Sequence, residues 1–146
     1  MDDDTFWRLI DRLDWRFQGD DDQVIEPVVT ALAERPLEVI QGFLDALALK
    51  LFALDGRAWA RESGAWWSDP DRLSADEFLY ERCVVVANGR EFYERVLADP
   101  SEMPKDLEFE ALLDIPRAAY RRRVGTDAEL VPGISYETFA NSNGWA

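Results

Sequence analysis

Apolar residues recur at helical spacing along most of the chain. The clearest run follows Pro36, and its apolar members are Leu37, Ile40, Phe43, Leu44, Leu47 and Leu51. Steps of three and four residues place side chains on one face of an α-helix. The pattern therefore predicts a long amphipathic helix in this part of the chain.

The N-terminal segment has the same period, with apolar positions at Phe6, Leu9 or Ile10, Leu13 and Phe17. Acidic residues at 2–4 favour the positive end of a helix dipole, and Asp4 or Thr5 is a suitable N-cap. We predict one helix from this cap to the end of the stripe. The acidic stretch at 19–23 then breaks this helix and caps a second one.

The segment 83–100 reads CVVVANGREFYERVLADP and admits two interpretations. An apolar β-branched run followed by Asn-Gly is typical of a strand entering a tight hairpin. The residues after Asn88 and Gly89 do not alternate, however, and Ser74 followed by Glu77 forms a capping box ahead of the run. We therefore predict one helix from about residue 75 to 98 that contains the Asn-Gly pair.

These patterns predict an all-α, single-domain bundle of about five or six helices. The bundle covers residues 1–130, and an irregular C-terminal tail follows at 131–146, where the helical period is lost. Either Tyr136, Phe139 and Trp145 pack this tail onto the bundle, or the tail extends freely.

The charge balance bears on the choice of partner. The chain has 30 acidic and 16 basic residues and a net charge of −14, which disfavours duplex nucleic acid and anionic membranes and favours a basic protein. It has no histidine, the usual catalytic base near neutral pH. Its one cysteine, Cys83, lies in an apolar run and is expected to be an inert buried thiol. We expect no cofactor, no metal site and no internal disulfide.

The expected location is the cytoplasm. The opening MDDDTFW lacks the basic and apolar regions of a secretory signal. The longest apolar stretch, residues 44–54, contains Lys50 and is too short to span a bilayer.

A group of charged residues in the segment 75–98 is the best ligand-site candidate. On one continuous helix Arg82 and Arg90 would lie roughly 80° apart and could converge on a small anion. Arginine suits bidentate recognition of carboxylate or phosphate, and a glycine beside Arg90 leaves room for it. The ligand-binding candidates are Arg82, Arg90, Asp76, Glu77, Gly89 and Trp59. The alternative is structural, with the acids at a helix start and the arginines in ion pairs between helices.

Three tryptophans are interface candidates. Trp66 and Trp67 lie in an irregular stretch, and Trp145 lies in the tail. Aromatic side chains often anchor protein interfaces. The alternative is that these large side chains fill the core.

Several of these residues resemble a bacterial family catalogued as domain of unknown function 4240. That family is typified by an N-terminal Phe-Trp, a Ser-acid-acid-x-Phe turn into a helix, a Gly-Arg pair and a terminal Asp-Pro. The corresponding positions here are Phe6–Trp7, Ser74–Phe78, Gly89–Arg90 and Asp99–Pro100, and Arg82 matches an arginine after the turn.

The chain departs from that pattern at two places. A Trp-rich insertion at 64–73 replaces a glycine pair before the serine turn, and Ala-Trp replaces Leu-Trp at 58–59. Over residues 5–120 the resemblance implies an all-helical domain. Such domains are sometimes found alone and sometimes beside WGR-type domains in proteins named as molybdate-metabolism regulators. The resemblance implies no established activity and no catalytic residues.

The favoured function is a non-enzymatic binding module, an adaptor, inhibitor or regulator that engages a basic protein partner. A second hypothesis is a small-anion binding or sensing domain that uses helix arginines. A third is an enzyme that relies on carboxylates, for which no catalytic residue stands out. The oligomeric state is left open.

Overall fold

The computed structural model describes residues 1–65, 72–127 and 129–146. Within these residues the chain is entirely helical, which confirms the all-α prediction. The α-helices are α1 (Asp3–Ile10), α2 (Asp21–Ala33), α3 (Leu37–Ala53), α4 (Arg57–Glu62), α5 (Ala75–Ala87), α6 (Arg90–Ala98), α7 (Ile115–Val124) and α8 (Ser142–Trp145). Six of these eight helices have eight or more residues, so the expected count was slightly low.

Helix α3 is the central element of the fold. It packs against α1, α2, α5 and α7. Its stripe residues Ile40, Phe43, Leu47 and Leu51 are fully buried, as the sequence pattern predicts. Leu37, at the first turn, is the exception and is 43% exposed.

Side chains cap three of the longer helices. Asp2, Asp20 and Ser74 accept hydrogen bonds from backbone amides three residues later, at 2.7, 3.4 and 3.3 Å. Each bond satisfies an amide that has no partner within its helix. The expected cap of α5 is thus confirmed, whereas α1 begins earlier than Asp4 or Thr5 would place it.

Helix α1 is shorter than its apolar stripe predicts. It ends at Ile10, and a separate 3₁₀-helix follows at Trp15–Phe17. The backbone N–H of Asp14 donates to the Val24 carbonyl at 2.9 Å, and this bond turns the chain toward α2. The expectation of one helix to residue 17 is wrong because of this turn, which leaves Trp15 and Phe17 at the surface.

The Asn-Gly pair ends one helix and begins the next. Helix α5 stops at Ala87 and α6 starts at Arg90. Between them Gly89 has φ 98° and ψ 172°, a backbone conformation that is essentially confined to glycine. The helical interpretation is confirmed on both sides of the pair, but the single helix from 75 to 98 is wrong.

The C-terminal tail packs onto the helical body. Tyr136 and Trp145 are half-buried against the core. Trp145 meets the Phe78 ring edge-on at 6.0 Å between centroids and lies 4.6 Å from the Phe139 ring. Of the two alternatives for this segment, the structure shows the packed one.

Across the three described ranges, every helix is too short or too polar to cross a bilayer.

Gly89→Ala tests the helix break. We expect it to lower the free energy of unfolding by about 1–3 kcal/mol, because alanine is strained at this φ and ψ. A continuous helix would give the opposite sign, since alanine stabilises a helix interior relative to glycine by about 0.5–1 kcal/mol. Urea unfolding measures the difference.

Gly42→Ala is the matched control. Gly42 lies inside α3, and an added Cβ would make ordinary contacts with Met1, at 3.4 Å or more. This variant is expected to be neutral or stabilised. Stabilisation of both variants would contradict the break at Gly89.

Candidate functional site

Arg82 lies in the core of the protein. Its side chain is fully buried on α5. One terminal nitrogen donates to the carbonyls of Leu51, at 2.9 Å, and Tyr136, at 3.1 Å, and the other donates to Thr138 Oγ1 at 3.0 Å. These bonds join the end of α3 to the C-terminal tail. An external ligand would have to replace them to reach this guanidinium.

Burial of this charge is costly, and several groups offset the cost. Burial lowers the pKa of Arg82, and the carboxylate of Asp55 acts in the opposite direction. The guanidinium lies over the Phe78 ring, 4.8 Å from its centroid, in a cation–π arrangement. Its Nε has no acceptor among the described residues.

Asp55 is the second buried charge at the tail. It follows the last turn of α3 and is fully buried. Its carboxylate accepts hydrogen bonds from the backbone amides of Phe139, at 3.1 Å, and Asn141, at 2.9 Å, and from Trp145 Nε1 at 2.8 Å. We call Arg82, Asp55 and their tail partners the tail clamp.

Two glycines allow the backbone to approach closely beside the clamp. A Cβ on Gly144 would collide with the carbonyl oxygen of Asp55 and lie 3.1 Å from the Cα of Gly56. The short helix α8 therefore fits against the start of α4 only with glycine at this position.

Arg90 has a different environment from Arg82. It is half-exposed at the start of α6 and pairs with Asp4 at 2.9 Å and Glu94 at 3.0 Å. Hydrogen bonds to these two carboxylates raise the pKa of Arg90. The two arginines lie on different helices and share no partner. A ligand role for either arginine stays a prediction.

The remaining ligand-site candidates are spread over α4–α6. Asp76 and Glu77 are exposed in the first turn of α5, next to the Ser74 cap. Trp59 is half-buried and donates its indole N–H to the Val96 carbonyl at 2.9 Å, which joins α4 to α6. Gly89 is buried at the helix break.

The interface candidates fall into two groups. Trp66 and Trp67 lie outside the described residues, so their interface role stays a prediction. Trp145 is half-buried and is part of the tail clamp.

Two buried ionisable groups lie beside Arg82 on α5. Burial raises the pKa of Cys83 to about 12, so the free thiol stays protonated near neutral pH, as expected for an inert cysteine. Burial also raises the pKa of Glu81, whose carboxylate accepts a hydrogen bond from the Gly64 amide at 3.2 Å. The apolar residues around Glu81 in the sequence predict that this part of α5 is buried. They do not predict that the carboxylate of Glu81 is buried with it.

An apolar surface lies where α1 was expected to continue. Trp15 is 39% exposed, and its ring lies 5.1 Å from the buried Phe109 ring. Leu107, beside it, is 54% exposed. Together with Gln18, Val84, Asn88 and Glu108 these three residues line a groove of about 270 Å³. We call this surface the Trp15 patch.

In the described ranges, His, Cys, Asp and Glu side chains form no group of three or more that could hold a metal ion.

A comparison with protein families identifies the chain. The family described as "Protein of unknown function (DUF4240)" matches residues 1–122. The chain belongs to this family. No curated protein and no solved structure gives a significant match. The match includes Arg82, whereas Tyr136 and Thr138, two of its acceptors, lie beyond it.

Arg82→Gln and Arg90→Gln test the contrast between the two arginines of this DUF4240 protein. Loss of Arg82 leaves buried acceptors unpaired, at about 1–3 kcal/mol each, so we expect a loss of about 2–4 kcal/mol in the free energy of unfolding. Loss of Arg90 removes exposed ion pairs and should therefore cost much less. Urea unfolding of both variants measures the difference. Equal losses would contradict the clamp.

Proposed function

We propose that this DUF4240 protein is a non-enzymatic binding module that engages a basic segment of a protein partner through the Trp15 patch. The observation that carries the proposal is the exposure of Trp15 and Leu107, which line the same groove. Most other large apolar side chains of the described chain are buried in the core. An exposed apolar groove with a polar rim is typical of an interaction surface.

The composition of the patch suits a protein ligand. Tryptophan is enriched among the residues that contribute most to interfaces, particularly where it can be fully desolvated. The Trp15 ring contacts the Phe109 ring, and 39% of Trp15 remains exposed for contact with a partner. Phe17, on the same 3₁₀-helix, is also 39% exposed.

Charge complementarity supports a basic partner. Glu108 lines the groove. The acidic run 20–22 follows the 3₁₀-helix, and the backbone amide of Asp20 donates to the Phe17 carbonyl at 2.8 Å. The one cation of the 3₁₀-helix, Arg16, is paired with Asp14 at 2.8 Å. With a net charge of −14 on the chain, a basic segment would be attracted and an acidic one repelled.

A pair of synthetic peptides tests this function. One is a short amphipathic peptide of leucine and lysine, and the other replaces each lysine with glutamate. We expect saturable binding of the lysine peptide, observed as a shift of the Trp15 indole N–H resonance in NMR titrations. Trp15→Ala should weaken this binding by about tenfold or more, as for an interface hot spot.

Leu49→Ala is the matched control. Leu49 is 55% exposed on α3 and does not line the groove, so its loss should leave peptide affinity unchanged. Circular dichroism confirms that each variant is folded. Equal binding of the two peptides, or full binding by folded Trp15→Ala, would contradict the proposal.

A further inference from the structure

A second groove, formed by different residues, lies between α1 and the turn that joins α2 to α3. It has a volume of about 320 Å³, within the usual range for small-molecule sites. Its floor is formed by Leu9, Leu32 and Val39, and Thr5 adds a hydroxyl group. The other three lining residues are Arg8, Arg12 and Arg35. The lining contains no carboxylate.

The three groove arginines lie together in a lining that contains no carboxylate. Arg16, Arg90, Arg121 and Arg122 each pair with a carboxylate. The groove arginines make no ion pair within the described residues, although the chain has 30 acidic residues. Cations that line one groove repel one another, and an anion bound between them would relieve that repulsion.

Arg8 is partly held by its own helix. It makes long hydrogen bonds, of 3.3 Å, to the Asp4 carbonyl and to Thr5 Oγ1. Asp2 is within its electrostatic reach, but the pKa of Asp2 is lowered mainly by the hydrogen bond from the Thr5 amide. Arg12 and Arg35 have no hydrogen bond from their guanidinium groups to any described residue, so their donors are free for a ligand.

The charge of the groove indicates the charge of its ligand. Arg12 and Arg35 each follow the C-terminal end of a helix, α1 and α2. A helix C-terminus carries about half a negative charge, so two of them offset about one of the three positive charges. The three arginines of the lining, with no carboxylate among them, favour an anionic ligand.

We infer that this groove binds a small phosphate monoester with an apolar body. The guanidinium groups of Arg12 and Arg35 would hold the phosphate oxygens, with Arg8 completing the positive rim. Arginine presents paired N–H donors that match a phosphate group. Leu9, Leu32 and Val39 would contact the apolar body of the ester. The anion would thus bind at Arg8, Arg12 and Arg35, and not at Arg82 and Arg90.

Phenyl phosphate is the test ligand, because it joins a dianionic phosphate near neutral pH to a small apolar ring. We expect saturable binding by isothermal titration calorimetry, with shifts of the side-chain Nε–H resonances of Arg12 and Arg35 in NMR spectra. Inorganic phosphate should bind about tenfold more weakly, because it leaves the apolar floor uncovered. Affinity for both anions should fall as salt is raised.

Variants identify the site. Arg12→Gln combined with Arg35→Gln should weaken phenyl phosphate binding by at least about tenfold, since each charge-assisted hydrogen bond contributes on that scale. Arg121→Gln combined with Arg122→Gln is the control, because it makes the same two-unit change in charge at arginines paired with Asp127 and Glu26 outside the groove. Unfolding curves show whether each variant is folded.

Three outcomes would overturn the inference. Phenyl phosphate could fail to bind folded protein at millimolar concentration, or it could bind the double variant as well as the wild type. A polyglutamate peptide could bind the wild type while phenyl phosphate does not, which would make the groove a site for acidic protein segments. Trp15→Ala should not affect phenyl phosphate binding, so the groove and the Trp15 patch can fail or succeed separately.

Discussion

The fold depends on a guanidinium placed inside a helical core. Arg82 cannot be buried without acceptors, and the three acceptors that it has all lie outside α5. The end of α3 supplies one acceptor at Leu51, and the tail supplies the others at Tyr136 and Thr138. Asp55, buried close by, needs donors in the same way and receives them from tail groups. The two buried charges thus make the C-terminal tail part of the folded body.

The family match ends at residue 122. Arg82 therefore lies inside the matched range, whereas its acceptors in the tail lie outside it.

Sequence patterns predicted the helices well where residues close together in the sequence determine where a helix begins or which of its faces is buried. The Ser74 cap and the long stripe of α3 are of this kind. The break at Asn88–Gly89 was missed because the apolar rhythm continues on both sides of it, and a glycine inside a helix and a glycine between helices look alike in a periodicity pattern. The early end of α1 was missed for a different reason. It depends on a hydrogen bond from Asp14 to Val24, a residue of the next helix.

The candidate site was harder to predict than the fold. Arg82 and Arg90 were grouped because one continuous helix would bring them together, and the break at Gly89 separates them. The burial of Arg82 depends on Tyr136 and Thr138, which follow it by 54 and 56 positions in the sequence, and no local pattern can reveal such distant partners.

The two surfaces proposed here also arise from tertiary structure. The turn after α1 exposes Trp15, and the approach of α1 to the α2–α3 junction places Arg12 near Arg35. Glu108 lines the first groove and three arginines line the second, so the two proposed surfaces differ in charge.

Hydrogen exchange of two tail amides tests the central claim most directly. The amides of Phe139 and Asn141 donate to the buried carboxylate of Asp55. If the tail clamp makes the tail part of the folded body, both amides should exchange slowly, with protection approaching that of core amides such as Leu47 in α3. Exchange at the rate of an unstructured peptide, in a protein whose α3 amides remain protected, would show that the tail is not held by Arg82 and Asp55.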